Sequence, residues 1–183
     1  MKKVLLTLAA VAVSVSVMAQ GTVNFQNIGG APVTYEDGGA PIGATASDGI
    51  ITALYWAPAG TTDDGAMEQI GAAANFLGNG FFLGGTRTAP VTPPGASAAF
   101  QVRAWDSNTG ATYEEALASG LTQAGKSAIF ESATGNPEAI PPGLPVNLAQ
   151  AIPAFTVATV PEPSAIALGV LGLGALLLVR RRK

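Results

Sequence analysis

Gly120-Leu121-Thr122-Gln123-Ala124-Gly125-Lys126-Ser127 satisfies the spacing G-x-x-x-x-G-K-[ST]. In a phosphate-cradling loop, backbone N–H groups at that spacing wrap the phosphates, the lysine meets the terminal one and the hydroxyl holds magnesium. That chemistry needs a buried strand before the loop and a helix after it. Here a helix-forming stretch precedes Gly120, and the strand-like residues 127–131 follow it. The order is reversed, so the residues read as a glycine-rich loop between a short helix and a strand.

A second group could hold a cation. Asp106, Asn108 and Glu114 offer oxygens of the kind Ca²⁺ takes, six to eight at a time. The EF-hand spacing is not met, because Gly110 occupies its third ligand position. A turn with Asx-type capping accounts for the same residues, and Asp63-Asp64 reads as a solvated turn. No other cofactor is expected.

Aromatic faces are the third possibility, since an exposed ring stacks on a pyranose. Tyr55 and Trp56 are adjacent on a strand and point to opposite faces. Trp105 shares a face with Gln101 and Arg103, which makes these three the candidate carbohydrate site, with an exopolysaccharide as ligand. Aromatic residues in strands also build cores, and both readings stand at this point.

Catalytic constellations are scarce. The chain has no Cys and no His, so neither a Ser-His nor a Cys-His pair can form. No G-x-S-x-G occurs, and nothing selects a glycosidase pair from the many carboxylates. A non-catalytic protein is the expectation, with a secreted hydrolase as the remotest alternative.

The elements that would position these residues are strands. Residues 22–26 alternate, 50–56 are apolar on both faces as in a buried strand, and 80–83 form a short apolar run. Residues 98–105 place Phe100, Val102 and Ala104 on one face and Gln101 and Arg103 on the other. Residues 127–131 and 155–159 complete the set. Gly, Pro, Asn and Asp between them predict an all-β body, a β-sandwich or jelly roll. One short helix is expected over 113–118, opened by a Thr112/Glu115 capping box and closed at Gly120. Residues 66–74 fit helix or strand equally.

This body runs from Gln20 to Thr159, one domain's worth of chain. It carries eleven carboxylates against Arg87, Arg103 and Lys126 alone, a net charge of −8. A domain so acidic repels phosphate backbones, which excludes nucleic acid as a partner. Without Cys it must hold together by its core.

The two ends differ from the body. Lys2 and Lys3, an apolar stretch and Val17-Met18-Ala19 before Gln20 describe an export signal over 1–19, recognised by the translocon and cut by signal peptidase between Ala19 and Gln20. At the other end, residues 165–179 are free of charge and amide. As a helix they span about 22 Å, against ~30 Å of hydrocarbon, a gap that snorkelling arginines can close. Arg180, Arg181, Arg182 and Lys183 hold that end in the cytoplasm by the positive-inside rule. Before the run, Pro161-Glu162-Pro163 breaks any helix and leaves an extended strip at the membrane face.

Pro-Glu-Pro, a short Gly/Ala/Leu helix and a closing Arg cluster, in that order over 160–183, resemble the PEP-CTERM sorting signal of Gram-negative bacteria. The resemblance implies an exosortase that recognises Pro161, Glu162 and Pro163 and removes the tail, with Arg180 to Lys183 as the stop-transfer cluster. It further implies a protein held transiently at the inner membrane by a single helix, then delivered to the cell surface or extracellular matrix.

Overall fold

The computed structural model describes residues 20–36, 42–120 and 122–160. The export signal up to Ala19 and the tail from Pro161 to Lys183 lie outside the described residues. Among the described residues, no helix is long and apolar enough to cross a membrane.

The strands in chain order are β1 (Thr22–Gln26), β2 (Thr34–Tyr35), β3 (Ile42–Gly43), β4 (Ile50–Pro58), β5 (Glu68–Gly78), β6 (Phe81–Thr88) and β7 (Ser97–Asp106). The helix α1 (Tyr113–Ala118) comes next, followed by β8 (Thr122–Lys126), β9 (Phe130–Ala133), β10 (Val146–Asn147) and β11 (Thr156–Val160). The body is mostly β, as its sequence predicts, but it is one curled sheet instead of two stacked ones. The spatial order is β10-β1-β6-β5-β4-β7-β8-β11-β2-β3, and β9 pairs with β7 off that path.

β4 and β7 form the centre, paired antiparallel from Ile50↔Asp106 to Pro58↔Ala98. Ile50, Leu54 and Trp56 point inward with Phe100, Val102 and Ala104, the alternation expected of them. Phe25, Phe76 and Phe82 close the interior from the far side, with Phe25 and Phe82 ring centroids 4.6 Å apart.

The curl brings distant strands together at the β5–β6 turn. Val33 N donates to Gly80 O at 2.9 Å, and Gly80 N donates to Ala44 O at 2.8 Å. Gly80 has φ +77°, and a Cβ there would lie 2.2 Å from the Val33 carbonyl oxygen. Only glycine meets both demands.

Three expectations are sharpened by the structure. The strand expected over 127–131 covers the break between β8, which ends at Lys126, and β9, which begins at Phe130; both pair with β7. At the break Ser127 Oγ accepts the Val102 N–H at 3.0 Å while Ser127 N donates to Val102 O, so a side chain bridges the interrupted ladder. The ambiguous stretch 66–74 falls mostly in β5, after a 3-10 turn over Asp64–Ala66. Thr122–Lys126 of the phosphate-loop spacing form β8, where a Cβ on Gly125 would meet Thr156 O at 2.2 Å. That glycine serves the close approach of β11, and Thr122–Lys126 are extended strand instead of a loop that could wrap a phosphate.

Helix α1 has its expected bounds. Thr112 Oγ1 accepts the Glu115 N–H, and the Glu115 carboxylate accepts from Thr112 N. The chain then leaves through Ser119 and left-handed Gly120, φ +96°.

Candidate functional site

The outer face of β4, β7 and β8 is covered by α1 and by the loop after β4, so the central strands are buried on both sides. Under this cover lies a second apolar cluster containing Ala53, Tyr55, Ala99, Trp105, Tyr113, Ala116 and Ala124.

Trp105 is at its centre and is fully buried. Its indole Nε1–H donates to Gly110 O at 3.0 Å, and the ring meets Tyr113 edge-on, centroids 6.3 Å apart. An exposed stacking platform at Trp105 is therefore overturned. Short neighbours such as Ala53, Ala116 and Ala124 leave a slot that the large ring fills.

Gln101 and Arg103 share that face as expected, but they too are buried beneath the cover. Arg103 is 5 % exposed, and a buried guanidinium must be paired. Its Nε donates to Gln101 Oε1 at 2.8 Å, Nη1 to Glu114 Oε1 at 2.6 Å and Nη2 to Asp64 O at 2.6 Å. The guanidinium carbon also stands 4.1 Å from the Tyr55 ring centre and 5.4 Å from that of Tyr113. Gln101 passes the network on: its Nε2 donates to Asp64 Oδ1 at 2.6 Å and to Ser127 O at 3.0 Å. Lys126 forms an ion pair with the other Asp64 oxygen. Two of the body's three cations thus converge on Asp64, which the sequence offers only as a solvated turn.

The electrostatics follow from these contacts. The Lys126 ammonium, opposed by burial and helped by the Gln101 amide, holds the Asp64 carboxyl below its ordinary value. Burial, then the Glu114 carboxylate, push the Tyr55 hydroxyl well above its ordinary value. Burial raises Tyr113 as well. Tyr55 OH donates to Glu114 Oε2 at 3.1 Å, so the neutral hydroxyl is the form the fold needs. Because its folded value lies above the unfolded one, its contribution is whole below about pH 10 and lost as pH rises beyond it. Denaturation midpoints measured from about pH 9 to 11 should fall for the native chain. The fall should be smaller for Tyr55→Phe, and equal slopes would contradict this role.

The Asp64–Lys126 pair forms a ridge between two open clefts. One, of about 540 Å³, is lined by Tyr55, Glu68, Gln69, Arg103, Tyr113 and Glu114. The other, of about 510 Å³, is lined by Thr61, Thr62, Gln101, Ser127, Phe130 and Glu131. The Glu114 side chain is 57 % exposed and faces the first cleft. Internally the network is satisfied, and it latches α1 and the loop after β4 onto the sheet.

The cation candidates are not brought together. Asp106 Oδ1 accepts from Asn108 N and Nδ2 at 2.8 and 2.9 Å, an Asx-type turn. Glu114 is committed to Arg103 and Tyr55. Among the described residues, no group of three or more His, Cys, Asp or Glu side chains is placed to hold a metal ion.

Gln20 stands two residues before β1, and β11 runs to Val160 with no connector before Pro161. Thr159 pairs with Gln123 and Val160 with Thr122, so the last strand is held by β8 to its final residue. Comparison with curated proteins and with solved structures finds no match. Residues 159–183 match the family model of the PEP-CTERM protein-sorting motif, the first two of them inside β11. The chain is a protein that carries a PEP-CTERM sorting domain at its C-terminus.

Proposed function

We propose that this is a non-catalytic cell-surface or matrix protein, whose acidic β-body is the cargo and whose tail is a removable address. The observation that carries the reading is the sorting motif over 159–183, which implies export and processing by an exosortase-type enzyme in a Gram-negative bacterium. Pro161, Glu162 and Pro163 are the recognition strip, and Arg180 to Lys183 stop transfer through the inner membrane. The firm hold of β8 on β11 supports this division, because loss of the tail beyond Val160 leaves every described strand of the sheet in place. Mass spectrometry of surface material should find an N-terminus at Gln20 and a C-terminus close to Pro161-Glu162-Pro163. Material ending at Lys183 would contradict processing.

A second reading, binding of the matrix polysaccharide, is favoured by one feature. The 540 Å³ cleft presents the exposed Glu114 carboxylate beside Glu68, Gln69 and Lys126, a hydroxyl-binding set without an aromatic platform. Loss of polysaccharide pull-down on Glu114→Ala would support it, and unchanged pull-down would remove it.

A further inference from the structure

We propose that the rim of the sheet around the β5–β6 turn is a membrane-contact surface, laid on the lipid headgroups of the bilayer that the tail enters. The proposal rests on reading residues 165–179 as the membrane segment.

The register sets the geometry. Ala158↔Ala124, Ala124↔Trp105, Trp105↔Ile51 and Ile51↔Asn75 form one continuous row across β11, β8, β7, β4 and β5. All four pairings are antiparallel, so β5 and β11 run the same way. Val160 and Leu77 each stand two residues beyond that row and reach the same rim. Four strand spacings separate them, about 19 Å in a flat sheet and less in a curled one.

The chain length sets the distance to lipid. Five peptide units join Val160 to Ala165, where the apolar run begins. Fully extended they cover about 18 Å. The headgroup layer takes up roughly 5–8 Å of that, so the rim cannot stand far from the bilayer.

Composition selects which part of the rim makes contact. No charged residue occurs between Gln20 and Tyr35 or between Gln69 and Thr86. The upper parts of β1, β5 and β6 are therefore a neutral sector on a body of net charge −8. Bacterial inner membranes carry anionic lipid, which repels the acidic remainder and spares this sector. It also presents apolar side chains: Leu77 is 67 % exposed, with Ile28, Ile42 and Leu83 exposed around the same turn. Gln26↔Leu83 and Phe76↔Phe82 pairing, with Gly43 against Asn79, makes them neighbours.

The opposite rim provides an internal control. Val91 is 87 % exposed, and Thr92 O beside it accepts from Gly21 N at the start of β1. That position is as apolar and as open as Leu77 but lies away from the tail.

The chain has no Cys, so Leu77→Cys, Val91→Cys and Leu171→Cys each carry a single labelling site. Each is labelled with a polarity-sensitive fluorophore in the full chain in its membrane-held form. Each is then reconstituted in phosphatidylethanolamine–phosphatidylglycerol vesicles whose lipids carry a shallow quencher. A side chain seated in the outer ~5–10 Å of the bilayer should lose roughly half its emission at position 77, with little lost at 91. Position 171 should report burial in the bilayer through its blue-shifted emission. A buried probe at 171 with equal quenching at 77 and 91 overturns the docking face alone. A probe at 171 in water overturns the membrane reading and the docking face with it. A shift at 77 that needs no vesicles and grows with protein concentration assigns the face to a second copy and also overturns the proposal.

Discussion

Replacing Trp105 with alanine should lower the free energy of unfolding by about 3–5 kcal/mol, a large share of the ~5–15 kcal/mol typical of a domain. The ring is fully buried between the sheet and α1, and its removal leaves a cavity walled mainly by alanines that cannot extend to fill it. Gly110 O loses its donor, and Tyr113 loses the ring edge it packs on. Helix α1 has six residues, too few to persist without a surface to lie on. The loss should therefore appear twice: as a lower urea midpoint by circular dichroism, and as proteolytic nicking near α1. Trp105→Phe keeps most of the volume and should cost less. An unchanged midpoint for Trp105→Ala would mean the indole is not core, and would reopen its reading as a sugar platform.

Trp105 also shows where sequence reading succeeds and where it stops. The alternation over 98–105 correctly assigns Phe100, Val102 and Ala104 to one face and Gln101, Arg103 and Trp105 to the other. Periodicity reports faces; it does not report what lies over them. The cover over the second face comes from α1 and from the loop holding Asp64, and their meeting is a tertiary event with no local signature. The capping box at Thr112 and Glu115 was legible because it is closed within four residues. The two-residue strands β2, β3 and β10 were not, since so short a segment has no period. β8 was hidden by a motif: Gly125 and Lys126 imitate a phosphate loop, while one is needed for the approach of Thr156 and the other for Asp64. The latch had one faint signal. With only three cations in an acidic body, the partners of Arg103 and Lys126 were worth seeking, and both lead to Asp64.

Arg103→Ala should be the second severe change, at about 3–5 kcal/mol, and Glu114→Ala a mild one, near 1 kcal/mol. The ion pair between them is unevenly placed, with the guanidinium almost wholly buried and the carboxylate more than half in water. Removing Glu114 lets water replace the carboxylate at the cleft, while Arg103 keeps Gln101 Oε1, Asp64 O and the Tyr55 face. Removing Arg103 ends all of these at once. Gln101 Oε1 is left buried without its donor, and the loop after β4 keeps the Gln101 and Lys126 bonds to Asp64 and the Gly60 N–H bond to Glu131 Oε1. A buried polar atom without a partner costs ~1–3 kcal/mol by itself, before the lost ring contacts are counted. Urea unfolding of both single variants and the double variant decides the matter. The double variant should match Arg103→Ala to within about 1 kcal/mol, because Glu114 contributes little once its partner is gone. Equal costs for the two single variants would place the energy in the ion pair itself, and would contradict the latch in which Arg103 joins sheet, helix and loop.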